Sequence, residues 1–498
     1  LSSLTEIIDR AFEKNFAKTA IFYNQEAFSY QKIGEAINRL AQGLLDKGIK
    51  PGNRIVILLP NFVFFPICYY AILKIGAVAV PLNFLYTGNE LTEQIQLIAP
   101  QAIIVWENLL SKLKETPAKS MAQLIVLGDS RWPEASELRK LIAKSPPLTH
   151  FPEVKDDDSA VILFTGGTTG RPKPVELSHQ ALISNCQAFR QAFMLNSAEV
   201  YLAILPLFLP ITQTGTLNSA LLSGATVVIH TEFEIQALAE LIRQYEVTVL
   251  VGNNALYQAF IDAEIPTDLL HSLKYCINYG MSYQAKLHQA FEEKHGITLY
   301  EGYGLTEATG FVAVNRTYSE HKKGSVGNTL EQIHVRIVNE QGETLGENEI
   351  GEIVIESSSL MKGYPGMPEE TVRILKDGWL HSGDIGKIDE IGDLFFLERK
   401  QNLILKSGFI IFSNEIENHI LTHPKVLEVA VIGVREGNGD EVKAFIVPPE
   451  NVTLTPNEII NHCQQQLENY KCPKYIQILK SLPKGPSGKV LKYHLKDN

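Results

Sequence analysis

For its first three hundred residues the chain alternates between two hydrophobic rhythms. In "SYQKIGEAINRLAQGLLDKGIKPGNRIVILLPN" (residues 29–61), Ile33, Ala36, Ile37, Leu40, Ala41, Leu44 and Leu45 recur at the spacing of one helical face. Gly48 predicts the helix stop, and Pro51-Gly52-Asn53 predicts a turn. "RIVILL" (54–59), apolar without a break from Ile55, then reads as a buried strand. The rhythm continues to residue 82 and returns in "ATVVIH" (225–230) and "VTVLVG" (247–252). Helix–strand alternation of this kind predicts layered α/β subdomains with parallel strands. "VFFPICYYAILKIGAVAVPL" (63–82) is apolar enough to suggest a membrane span, but Pro66, Lys74 and Gly76 interrupt it. A charge at a bilayer centre is costly, so the stretch predicts a buried helix followed by a buried strand.

After about residue 320 the period changes. "IHVRIVNEQGETLGENEIGEIVIES" (333–357) alternates with period two between Gly-rich turns, which predicts a small antiparallel, barrel-like β unit. Beyond residue 400, "GFIIFSNEIENHILTHPKVLEVAVIGV" and "DEVKAFIV" predict a strand or hairpin, a helix and two strands. The expected architecture is α/β. A large N-terminal domain (1–400) carries the β unit, and a small mobile α+β C-terminal domain (401–498) follows.

Composition narrows the function. A chain of 498 residues exceeds one compact core. The net charge of −11 excludes a broad nucleic-acid footprint. Cys68, Cys186, Cys276, Cys463 and Cys472 form no CxxC pair, which argues against zinc and a disulfide framework and for a reducing, cytoplasmic setting. Leu1 in place of Met leaves room for a removed leading segment.

Candidate chemistry begins at "LFTGGTTGRPKPVELSH" (163–179). Its spacing fails the Walker pattern. Gly166, Gly167 and Gly170 free the backbone to aim successive N–H groups at one anion, Thr165, Thr168 and Thr169 add hydroxyl donors, and Lys173 adds charge. "YEGYGLTEATG" places Thr306 beside Glu307, a pair suited to a phosphate oxygen and Mg²⁺. "DGWLHSGDIG" places Asp384 in what reads as a tight Gly-flanked turn, a lone carboxylate able to accept from two ribose hydroxyls. "LERKQN" carries Arg399, and "LPKGPSGKVLKYHL" carries Lys489 in a loop.

In this order and spread, over nearly the whole chain, these motifs resemble the adenylate-forming superfamily: acyl-CoA synthetases, peptide-synthetase adenylation domains and luciferases. The resemblance implies a two-step reaction. A carboxylate attacks the α-phosphorus of ATP to give acyl-AMP and pyrophosphate, and a thiol then displaces AMP. It implies ATP, Mg²⁺ and coenzyme A or a phosphopantetheine as cofactors. It also implies roles. Thr165 to Lys173 would hold the β- and γ-phosphates, Thr306 the α-phosphate, and Glu307 the metal. Tyr303 would stack on adenine with Gly280, Met281 and Ser282 along its edge. Asp384 and Arg399 would hold the ribose, and Lys489 would bridge carboxylate and α-phosphate. The C-terminal domain would rotate about a hinge at Gln401, beside Asn402, to present the loop near Gly408 to the thiol.

Departures from the family pattern bear on the acid. Leu209 stands where a His is frequent, and Thr212 where a Gly is. No Asp lies nearby to hold an ammonium, so an α-amino acid is not expected. Tyr279 stands where a Gly often opens the acyl tunnel, which suggests a short, medium or compact acid. Asn254 replaces a frequent Pro and, with Asn253, reads as a turn or as pocket donors. Leu209, Thr212, Asn254, Tyr279 and Gly304 are the expected acyl pocket. Lys406, Arg435, Lys443, Lys471 and Lys474 are the candidate partners for thiol-side phosphates. Coenzyme A is the favoured acceptor, an acyl carrier protein the alternative. A plain NTPase or kinase would leave Asp384, Arg399 and Lys489 unexplained, and a retired binding protein would not keep the full set. Pro174, after Lys173, should stiffen the loop exit.

Overall fold

The computed structural model describes residues 3–496 except 115, 117–121, 129–135, 166–171, 264, 281–282, 318–321, 407–408, 438 and 486–487. The apolar runs become the inner strands of two large sheets. The first has seven strands in the spatial order Ser136–Glu137, Gln123–Leu127, Ala102–Trp106, Arg54–Leu58, Val78–Pro81, Ser159–Phe164 and Pro174–Ser178. All neighbours are parallel except the last pair. Ile55, Val56, Ile57 and Leu58 are all fully buried, as expected of a strand covered on both faces. The second sheet has nine strands, centred on Val200–Ala203, Val249–Gly252, Tyr275–Tyr279 and Leu299–Leu305.

Helix Tyr30–Asp46 forms where the periodicity places it. The Ser29 hydroxyl caps it by accepting from Lys32 N at 3.2 Å, and its buried face holds Ile33, Ile37, Leu40, Ala41 and Leu44. Gly48 leaves it with φ +82°. The membrane-like stretch folds as helix Phe64–Lys74 and strand Val78–Pro81, with Phe65 to Lys74 all buried. Among the described residues no helix is long and apolar enough to cross a membrane. Lys74 is tolerated inside because Asp9 of helix Leu4–Lys14 meets it at 2.7 Å. Burial pushes the Asp9 carboxyl above its ordinary range, against the pull of Lys74.

The period-two segment forms a five-stranded antiparallel sheet around Trp379–Ile388, flanked by Gly351–Ser357, Leu375–Lys376 and Leu394–Arg399. The smaller C-terminal domain contains the hairpin Ile404–Lys406/Phe409–Ile411, helix Ser413–Ile420 and a three-stranded sheet. Its apolar residues from Ile404 to Leu495 make cores of their own, separate from the main one.

Asp9→Asn should leave Lys74 buried without its counter-charge. We expect a loss of about 2 kcal/mol, below that for a fully buried pair because Asp9 is part-exposed. Lys74→Met, which removes the buried charge itself, should cost less; urea midpoints compare the two.

Candidate active site

Distant segments meet around a cavity of about 650 Å³. Strands Ser159–Phe164 and Pro174–Ser178 place Phe164 opposite Pro174. Beyond them Thr165 N donates to Lys173 O, and Lys173 N donates to the Thr165 hydroxyl, each at 3.0 Å. This closes the neck of the Gly/Thr loop. Gly166, Gly167, Thr168, Thr169 and Gly170 lie outside the described residues, as do Met281, Ser282 and Gly408. Pro174 opens an edge strand, where its missing N–H costs no ladder bond.

Thr306 and Glu307 line the cavity from a 3-10 turn, Thr306–Ala308, that ends strand Leu299–Leu305. Gly304 also lines it. A Cβ there would fall 1.7 Å from Gly310 O, so only glycine allows the strand to approach its neighbour. The Tyr364 hydroxyl donates to Glu307 at 2.7 Å, and the Lys173 ammonium lies 5.3 Å from the Tyr364 ring. Lys173 also pairs with Glu370, which accepts from Arg373 at 2.7 Å.

Asp384 is neither lone nor in a tight turn. It sits in the long strand Trp379–Ile388, directly after Gly383 (φ +70°), paired in register with Arg399. Its side chain is fully buried, receives the Tyr303 hydroxyl at 2.6 Å, and lies 2.7 Å from Arg399 Nε. That approach is an ion pair without hydrogen-bond alignment, so Asp384 Oδ1 and Arg399 Nε remain unsatisfied. Burial works against the Arg399 charge, and Asp384 overcomes it, raising the guanidinium pKa. The Tyr303 ring is not in the cavity wall: it is 7% exposed and stacks on Phe396 with centroids 5.8 Å apart. Tyr303 thus braces Asp384, with its ring behind the cavity lining rather than in it.

On the acyl side Leu209, Tyr279 and Gly304 line the cavity, and Thr212 and Asn254 do not. Thr212 is 1% exposed inside the short helix Pro210–Thr212, and Ile211 lines the wall beside it. The Asn pair is not a turn. Asn253 caps helix Asn254–Asp262 by accepting from Leu256 N at 2.9 Å and reaches the cavity, while Asn254 accepts from Asn278 at 2.6 Å beneath it. The Tyr279 ring packs edge-on to Phe311, and its hydroxyl donates to Gly310 O at 3.3 Å. Burial keeps that phenol neutral by pushing its pKa up.

Lys489 enters from the C-terminal domain on a turn closed by Gly485 N to Lys489 O at 2.8 Å. It has no ion-pair partner among the described residues. Burial, then the nearby Arg399 charge, lowers its pKa to about 8, while Asp384 and Glu398 partly oppose this. Gln401, in the 3-10 turn Lys400–Asn402, lines the same cavity.

Residues 8–365 match the family described as AMP-binding enzyme, and residues 415–489 match the AMP-binding enzyme C-terminal domain. The chain belongs to the AMP-binding enzyme family. It is 31% identical to the long-chain-fatty-acid–CoA ligase of Yersinia pestis, over 100% of this chain and 94% of that one. It is 30% identical to the crotonobetaine/carnitine–CoA ligase of Salmonella typhi, over 96% of each. It superposes on ATP-bound MatB of Rhodopseudomonas palustris with a TM-score of 0.92 at 27% identity, over 100% of this chain and 99% of that one. Against apo MatB the TM-score is 0.80. The chain is an AMP-forming acid–thiol ligase, and ATP, Mg²⁺ and coenzyme A are the cofactors of these ligases.

For an AMP-binding enzyme the site residues fit the nucleotide. Arg399, Gly280 (φ +86°) and Gly383 line the cavity, the two glycines leaving open space where a Cβ would stand, while the fully buried Asp384 holds Arg399 without itself lining it. Among the described residues no cluster of three or more His, Cys, Asp or Glu is placed to hold a metal. One carboxylate, Glu307, suits Mg²⁺, which keeps water and phosphate oxygens as its other ligands. The basic residues expected on the thiol side are already engaged. Lys406 pairs with Glu441 at 2.7 Å, Arg435 with Asp440 at 3.6 Å, Lys471 with Glu415 at 2.7 Å and Lys474 with Glu436 at 2.5 Å. Lys443 lies over the Phe445 ring. Sequence reasoning missed Tyr364 and Glu370, although "KGYPGMPEE" carries both; only the fold brings them to Glu307 and Lys173.

The Lys489 amine should acetylate with a pH midpoint at about 8, against an ordinary lysine value of 10.5. Its charge is present below that midpoint and lost above it. Mass spectrometry of acetic-anhydride-treated protein against pH reads this directly.

Proposed function

We propose that this chain activates a non-amino, short, medium or otherwise compact carboxylic acid through its acyl-AMP and passes it to coenzyme A. The observation that carries the reading is the meeting of Thr306, Glu307, Arg399 and Lys489 on one cavity whose other wall is Phe208, Leu209, Ile211 and Tyr279. Two anions must meet for a carboxylate to attack a phosphate, and a part-buried ammonium offsets that repulsion most strongly. In this reading Lys489 sits between them, and Thr306 donates to the α-phosphate. Glu307 ligates Mg²⁺, and Asp384 and Arg399 hold the ribose. Lys173 exchanges Glu370 for the departing pyrophosphate.

The acyl wall carries no carboxylate among its described residues, which supports an acid without an ammonium. Tyr279, held by Phe311 and Gly310, supports a short cavity. The carboxylates that neutralise Lys406, Arg435, Lys471 and Lys474 give no support to a basic docking face for an acidic carrier protein.

A panel of carboxylic acids should give acid-dependent pyrophosphate and AMP, followed by thioester with coenzyme A. ADP as product, or no acid-dependent pyrophosphate, would overturn the reading; thioester only on a carrier protein would replace the acceptor. Lys489→Ala should cut acyl-AMP formation by about a hundredfold or more while leaving thioester formation from supplied acyl-AMP far less affected. Tyr279→Gly should shift the preferred acid toward longer chains, and an unchanged chain-length profile counts against the compact-acid assignment.

A further inference from the structure

The segment that carries Lys489 is tied to the strand that carries Arg399 by a buried polar chain crossing the Gln401 region. Glu398, at the end of strand Leu394–Arg399, is 2% exposed. Its carboxylate accepts from Arg399 N at 2.9 Å, Asn402 Nδ2 at 3.3 Å and Asn414 N at 3.2 Å, and from the Ser413 hydroxyl. Ser413 in turn accepts from Lys492 Nζ at 2.6 Å, and Lys492 pairs with Glu417 at 2.7 Å. Glu417 also accepts from Val431 N at 2.6 Å. Lys492 lies three residues beyond Lys489 and begins the 3-10 segment Lys492–Leu495. A buried carboxylate with this many donors is held in one place, and breaking the chain would leave a buried charge unpaired.

We propose that Glu398 is a positioning residue for Lys489: through Ser413, Lys492 and Glu417 it holds the Lys489 segment against Arg399 in the arrangement that the acid–ATP step uses. The proposal rests on the adenylation reading given above. It gives Glu398 no contact with the reactants and no place in the thiol step.

The charges facing Lys489 allow a test that simple loosening would not satisfy. Arg399 and Lys492 work against its proton, and Asp384 and Glu398 favour it. Glu398→Gln removes a favouring charge, so the Lys489 acetylation midpoint should move down. Lys492→Met removes an opposing charge, so it should move up. Ser413→Ala changes no charge, so it should leave the midpoint in place yet lower the kcat for acid-dependent pyrophosphate release about tenfold. In that variant the ATP KM and thioester formation from supplied acyl-AMP should stay within about threefold of the parent. A merely loosened fold would let water in and raise the midpoint in every variant.

An unmoved or raised midpoint in Glu398→Gln would overturn the proposal. So would equal loss of both half-reactions in Ser413→Ala. If one variant does not fold, the other still decides. If the parent enzyme adenylates no acid, the functional reading fails, but the opposite midpoint shifts still test whether Glu398 and Lys492 act on Lys489.

Discussion

The buried pairing of Asp384 with Arg399 is the constraint on which the rest of the site depends. Neither charge would be stable alone at that depth, so the strands that carry them must stay in register. Tyr303 completes the arrangement from the nine-stranded sheet, which ties that sheet to the antiparallel one. Glu398, the neighbour of Arg399, reaches the C-terminal domain. Three parts of the fold are thus joined at one corner of the cavity.

The site meets its anionic reactants with cations that are already placed. Lys173 rests on Glu370, Arg399 on Asp384, and Lys489 among charges that nearly balance. Holding a cation against an exchangeable carboxylate costs less reorganisation than recruiting it from water when substrate arrives. The weakened basicity of Lys489 follows first from its burial and then from the Arg399 charge beside it: it is the one of the three without an ion-pair partner among the described residues.

Much of this was legible in the chain. The helix over Tyr30–Asp46, the buried helix and strand within 63–82 and the antiparallel unit beyond residue 330 follow from periodicity, because a single buried face dictates each. The residues of the site were legible as motifs, but their surroundings were not. Asp384 looked lone and set in a tight turn because its partner lies across a strand pair, which no local pattern reveals. Thr212 and Asn254 were assigned to the cavity in place of Ile211 and Asn253. A shift of one residue along a helix start turns a side chain by about 100°, and sequence does not give that phase. The lysines and arginine of the C-terminal domain looked available because their carboxylate partners are spread over several elements.

Pro174 has a consequence beyond the loop it follows. It opens the outermost strand of the seven-stranded sheet, a place where unpaired backbone groups invite another chain to add itself. Proline offers no N–H there, and Lys362 and Gly363 occupy the backbone of Glu176 two residues on. This edge of the sheet is thereby closed to strand addition from outside. The segment that covers it continues directly into Tyr364, so the guard against self-association and the support of Glu307 are one stretch of chain.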